Sequence, residues 1–166
     1  VEIAGLEIRG QPALVNGPVV ADKDWLKSLN LDFKNNHDRT IVYMTVELEV
    51  APAGRMQHPL RLPIRFGKRP GEASDTRDPR TVEKLAPKKT KRLAISEYMY
   101  DFLLKYMKEK EVDDIGKVQL FIHFVVFDDG TAWSNGYLMH QDPKNPDRWL
   151  VEGPWVNRRI SSLGKM

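Results

Sequence analysis

The chain reads as an all-β protein, an antiparallel immunoglobulin-like β-sandwich with one crossover α-helix. Three observations predict this. Apolar residues recur with a period of two in several short segments. Turn-forming residues separate those segments at short intervals. A single stretch, 97–110, carries helical spacing instead. Six or seven strands with one helix fit a sandwich best, and a β-barrel is the alternative architecture.

The first clear strand is LNLDFKN, with Leu29, Leu31 and Phe33 on one side and Asn30, Asp32 and Lys34 on the other. IVYMTVELEV (41–50) follows, where Val42, Met44, Val46, Leu48 and Val50 alternate with a wet face of Tyr43, Thr45, Glu47 and Glu49. The polar cluster NNHDRT between them predicts an antiparallel pair. LRLPIRF sets Leu60, Leu62, Ile64 and Phe66 against Arg61 and Arg65; its Pro63 lacks a ladder donor and belongs at an edge or a bulge. RLAIS is a short strand, and VQLFIHFVVF pairs with AWSNGYLMH. In SEYMYDFLLKYMKEK, Met99, Phe102, Leu103, Tyr106 and Met107 form a helical stripe that should pack in the core. Ser96 is placed to cap it, with Glu97 and Asp101 near its start and Lys105, Lys108 and Lys110 near its end.

The segment FDDGTAW (127–133) predicts a two-residue type I′ turn at Asp129-Gly130. That register sets Asp128 opposite Thr131, Val126 opposite Trp133 and Ile122 opposite Tyr137. One face then holds Leu120, Ile122, Phe124 and Val126 with Tyr137, Met139 and Trp133, the expected core anchor. Asp128 and Thr131 would satisfy turn backbone groups, while Asp129 and Gly130 take the left-handed region. The other face, with Gln119, Phe121, His123, Val125 and Phe127, is too apolar to lie bare. The helix, the segment carrying Trp149 and Trp155, or a second copy should cover it.

With 166 residues the chain has the size of one domain, 1–166, able to bury roughly two-thirds of its unfolded surface. At 41% hydrophobic and 30% charged it is globular in composition, with no apolar run near the ~18–20 residues of a membrane span. VEIAGLEIRG lacks the form of a signal peptide, so an export signal, if the protein uses one, is expected to have been removed. The sequence holds no cysteine, which excludes disulfides, thiolate catalysis and cysteine-ligated metal centres. A net charge of +3 gives nucleic acid little to bind. The charge is concentrated, however. Residues 68–92 hold nine Lys/Arg against four Asp/Glu, and 68–90 reads as a long basic surface loop.

Catalytic motifs do not emerge. The four histidines, His37, His58, His123 and His140, lack metal-ligand spacing, and no nucleophile elbow or phosphate-cradling glycine loop occurs. His123 and His140 are expected on paired strands, about four pairs apart. Glu47 and Glu49 could form a carboxylate pair, but a glycosidase needs a larger scaffold. Asp128, Asp129, Asp142, Asn145 and Asp147 could be offered to Ca²⁺, although the expected hairpin puts Asp142 at the far end from Asp128. No metal or cofactor is therefore expected. Interaction residues are more plausible: Trp25, Trp149 and Trp155 for stacking on sugars, Lys88, Lys89, Lys91 and Arg92 for a polyanion, and Phe121, Val125 and Phe127 for a protein partner.

The stretches WLKSLNLDFKNNHDRTIVY, KLAPKKTKRLAIS and VVFDDGTAWSNGYLMHQDPKNPDRW resemble a group of uncharacterised bacterial extracytoplasmic sandwich proteins, over roughly 25–155. The resemblance implies an immunoglobulin- or fibronectin-like fold and export to the periplasm or beyond, and it transfers no activity. Where that group has a Pro-Gly-Glu lead-in, this chain has Pro87-Lys88-Lys89. The expectation is a non-catalytic module for recognition or assembly. Its partner would be a protein, a cell-surface polymer or a second copy.

Overall fold

Ten strands, a short 3-10 turn and one α-helix are built by the residues that the computed structural model describes, 1–13, 24–71, 83–113, 115 and 118–154. In chain order they are β1 (Glu2–Ile8), β2 (Gln11–Pro12), the 3-10 turn Trp25–Ser28, β3 (Leu29–Lys34), β4 (Ile41–Val50), β5 (Leu60–Gly67), β6 (Thr90–Ala94), α1 (Glu97–Glu109), β7 (Val118–Phe127), β8 (Thr131–Ser134), β9 (Tyr137–Asp142) and β10 (Asn145–Pro154). A four-stranded sheet runs in the order β2-β1-β3-β6 and a six-stranded sheet in the order β10-β9-β8-β7-β4-β5, with every pair antiparallel. The fold is an all-β sandwich with one helix.

The core lies between the sheets. Leu29, Leu31 and Phe33 of β3, Ile8 of β1 and Leu93 of β6 meet Met44, Val46, Leu48, Leu62, Ile64 and Phe66 of β4 and β5. Each of the large side chains stabilises by about 1.5–3 kcal/mol on full burial. The helix closes one end with Tyr100, Leu103 and Met107, and the Ser96 hydroxyl accepts from the Met99 amide at 3.2 Å, as its capping role requires. Phe102, expected in the core stripe, points outward instead, because the buried stripe is centred on Leu103. Pro63 lies on β5, an edge strand, where its missing donor faces no neighbour.

Two connections differ from the sequence reading. NNHDRT does not join a hairpin: β3 and β4 belong to different sheets, and the turn carries the chain across the sandwich. Asn35 holds it there. Its buried amide donates to the carbonyls of Arg39 (2.8 Å) and Leu85 (3.0 Å) and accepts from the His37 amide (3.0 Å), while its backbone exchanges bonds with Lys88 and Lys89. Ile41 and Leu85 exchange both backbone bonds at 2.9 Å beside it. Every polar group of Asn35 is thereby used in water-free surroundings, the condition under which such a residue stabilises rather than costs.

The second difference is at 132–140, expected as one strand. Asn135 and Gly136, at φ 48° and 87°, turn the chain back between β8 and β9. That Asn-Gly pair is the strongest short hairpin signal in the sequence, and it went unread there. As a result His123 and His140 are not on paired strands, and Asp142 returns to the same end as Gly130, where the Gln141 amide donates to the Gly130 carbonyl at 3.1 Å.

Candidate functional site

The β7–β8 hairpin fixes which residues face outward, and its register is one residue away from expectation. Val126 pairs with Ala132, Val125 with Trp133 and Phe124 with Ser134. The loop therefore has three residues, Asp128, Asp129 and Gly130: the Gly130 amide bonds the Phe127 carbonyl at 3.3 Å, and Gly130 alone takes the left-handed region, at φ 80°. Asp129, not Asp128, secures the turn. One of its oxygens accepts from the Thr131 amide (3.0 Å) and hydroxyl (2.6 Å), and the other from Arg39 (3.0 Å). Arg39 also lies over the Phe127 ring at 4.3 Å. Partial burial alone would raise the Asp129 carboxyl; the bonds from Thr131 and Arg39 outweigh it and hold the group below the usual carboxylate value. Both oxygens that a cation would need are thus engaged. Asp142 and Asn145 likewise accept from the Lys144 and Asp147 amides in their own turn.

Two bulges then re-aim the central strands. Val42 is the extra residue in β4 opposite Phe127 and Val126, and His123 is the extra residue in β7 opposite Thr45 and Val46. Before His123, Val118, Leu120 and Ile122 pack against the main core; after it, Val125 and Phe127 do. Phe124 and Val126, expected inside, are displaced to the outward side. The face proposed from Phe121, Val125 and Phe127 does not exist as a unit, since Val125 and Phe127 are buried and Phe121 is outside. Trp133 does pack against the core as expected, although its partner is Val125.

What emerges is an aromatic cluster on the outward face of the six-stranded sheet. Tyr43, Val126 and Ala132 are buried there, with Val42, Phe124, Met139 and Trp149 packed around them. Tyr43 meets Phe124 edge-on with centroids 6.2 Å apart, and Phe124 meets Trp149 edge-on at 5.4 Å. The Thr45 hydroxyl donates to the Tyr43 hydroxyl at 2.8 Å, so Tyr43 and Thr45, expected on a wet face, are both buried. The indole nitrogen of Trp149 is buried without an acceptor among the described residues. Beyond this cluster the face is open: Phe121 is 46% exposed, Tyr137 50% and Val151 59%. Its β4–β5 margin is polar, with Glu49 accepting from Arg61 at 2.8 Å and Glu47 3.8 Å from His123.

The remaining candidates lie elsewhere. Trp25 packs against the core and Trp155 lies outside the described residues, so of the three tryptophans only Trp149 is placed on this face. Within the basic segment, 72–82 lies outside the described residues, and Thr90–Ala94 is strand β6 rather than loop. Lys88 donates to the Asn36 carbonyl (2.7 Å), Lys91 to Glu83 (2.6 Å) and Arg92 to Asp32 (2.9 Å), while Lys89 is exposed. The basic cluster is therefore largely spent on neighbours. Among the described residues no group of three His, Asp or Glu side chains could hold a metal ion, and no helix is long and apolar enough to cross a membrane. Comparison of the chain with protein-family models, curated proteins and solved structures returned no match.

Proposed function

We propose that the protein is a non-catalytic recognition module that binds a protein partner through the outward face of its six-stranded sheet. The carrying observation is the exposure of Phe121, Tyr137 and Val151 around a pre-packed Tyr43–Phe124–Trp149 cluster. A half-dry aromatic centre with a charged margin is the composition that protein-binding surfaces favour, because aromatics contribute large contact area at little rotamer cost. Sugar stacking has weaker support, since Trp149 stands edge-on to Phe124 with its indole nitrogen turned into the protein. Polyanion binding is weakened by the internal pairing of Lys88, Lys91 and Arg92. The resemblance over 25–155 supports placing the module outside the cytoplasm of a bacterium.

The test is a photo-crosslinking residue put in place of Tyr137 or, on the other sheet, of Asn30, in cells that make the protein. The expected result is one discrete protein adduct from position 137, none from position 30, and loss of that adduct on Phe121→Arg. Adducts from both positions, or a thermal shift with polysaccharide alone, would overturn the reading.

A further inference from the structure

Helix α1 carries a second apolar feature on the side away from the core. Tyr98, Phe102 and Tyr106 follow one another at i, i+4 and i+8, forming a ridge roughly 12 Å long at the helical rise. Tyr98 is 84% exposed and Phe102 47%. Phe102 stacks on Tyr106 with centroids 6.4 Å apart, and Lys110 lies 5.7 Å from the Tyr106 ring at the far end. An outward helix face of a globular protein ordinarily carries charge, so three aromatics in line on it call for a covering surface.

The flank of that ridge is antisymmetric. Glu97, Asp101, Lys105 and Lys108 are all exposed and fall to one side of it, acids in the N-terminal half and bases in the C-terminal half. One arrangement of two copies joins every feature. A two-fold axis perpendicular to the helix and passing beside Phe102 sets two copies of α1 antiparallel. Phe102 then meets its own equivalent, and Tyr98 meets Tyr106 of the other copy. The same flanks face each other reversed, with Asp101 opposite Lys105 and Glu97 opposite Lys108. The residue numbers of these facing pairs are centred within one position of one another, so one axis serves both the ridge and the flank.

We propose that the protein self-associates through α1 as this antiparallel, two-fold helix pair. The occupant of the ridge is a second copy of the chain because the charge order is complementary to itself. A thirteen-residue helix offers less than a standard-size interface, so the association is weak and depends on concentration.

Sedimentation equilibrium from about 10 µM to about 1 mM spans the affinities such a surface supports. The wild-type average mass should climb from 19.1 kDa towards twice that value. Phe102→Asp should stay monomeric throughout, with an unchanged circular dichroism spectrum. Asp101→Lys alone and Lys105→Asp alone should each be monomeric, since each sets like charges across the axis. Mixed in equal amounts they should dimerise, because the two changed chains complement each other. Helix-dipole effects within one chain cannot produce that rescue. A wild-type mass independent of concentration would overturn the proposal. So would a dimer that survives Phe102→Asp, a mixture that stays monomeric, or loss of the dimer on Tyr137→Arg, which would move the contact to the sheet face.

Discussion

On the outward side of the four-stranded sheet, Arg92 donates to both oxygens of Asp32 at 2.9 Å and reaches Glu7 at 3.2 Å, with Asn30, Lys34 and Thr90 around them. On the outward side of the six-stranded sheet stand Tyr43, Phe124 and Trp149, with Phe121, Tyr137 and Val151 open beside them. Both faces belong to antiparallel sheets whose inner sides share one core. The difference is that the first keeps strict alternation against water, whereas the second is re-phased by bulges at Val42 and His123. A bulge can therefore turn a solvent face into a second apolar layer without any change in the composition of the strand.

The largest expected effect breaks that comparison at its centre. Tyr43→Ala should cost about 3 kcal/mol, as a core deletion does, because the ring is buried and hydrogen-bonded despite facing outward. Urea denaturation would measure it, and a loss under about 1 kcal/mol would mean that the second layer is loosely packed.

A smaller effect is expected on the charged face. The hydrogen bonds from Arg92 hold the Asp32 carboxyl below its usual value. A carboxyl lowered by folding stabilises above its unfolded pKa, about 3.9, and that contribution is lost as pH falls through the lower folded value. Asp32→Asn should therefore cost less than about 1 kcal/mol at neutral pH, and its melting temperature should converge with that of the wild type in acid. A gap that persists at low pH would mean that the pair acts through packing rather than charge. The smallest effect belongs to the open rim: Tyr137→Lys and Val151→Lys should leave stability within about 0.5 kcal/mol of the wild type in thermal unfolding.

These contrasts also explain what could be read from the sequence. The alternation of Leu29, Leu31 and Phe33 was legible because β3 has no bulge, and α1 was legible from Ser96 and its spacing, to within one residue. The position of Phe102 was not, since a stripe five residues wide leaves the centre of burial open by about one residue, or 100°. The outward cluster was hidden for a related reason. A period-two pattern in VQLFIHFVVF carries no sign of the extra residue at His123, and a three-residue loop at Asp128–Gly130 shifts every pairing that a two-residue loop predicts. The Asn135-Gly136 turn was legible in principle. It was masked by the apolar residues on either side, which join into one apparent strand.

Asn35 has a consequence for the order in which the chain assembles. Its side chain bonds a carbonyl fifty residues away, so its donors find both partners only after the segment leading to β6 has returned to the start of β4. Until then a polar amide would be enclosed unsatisfied, which opposes completion of either sheet alone. The two sheets should consequently fold and open as one cooperative unit, slowly for a chain of this size because the closing contact is distant in sequence. In hydrogen exchange the amides of Ile41, Leu85 and Lys88 should share a single protection free energy, equal to that of global unfolding.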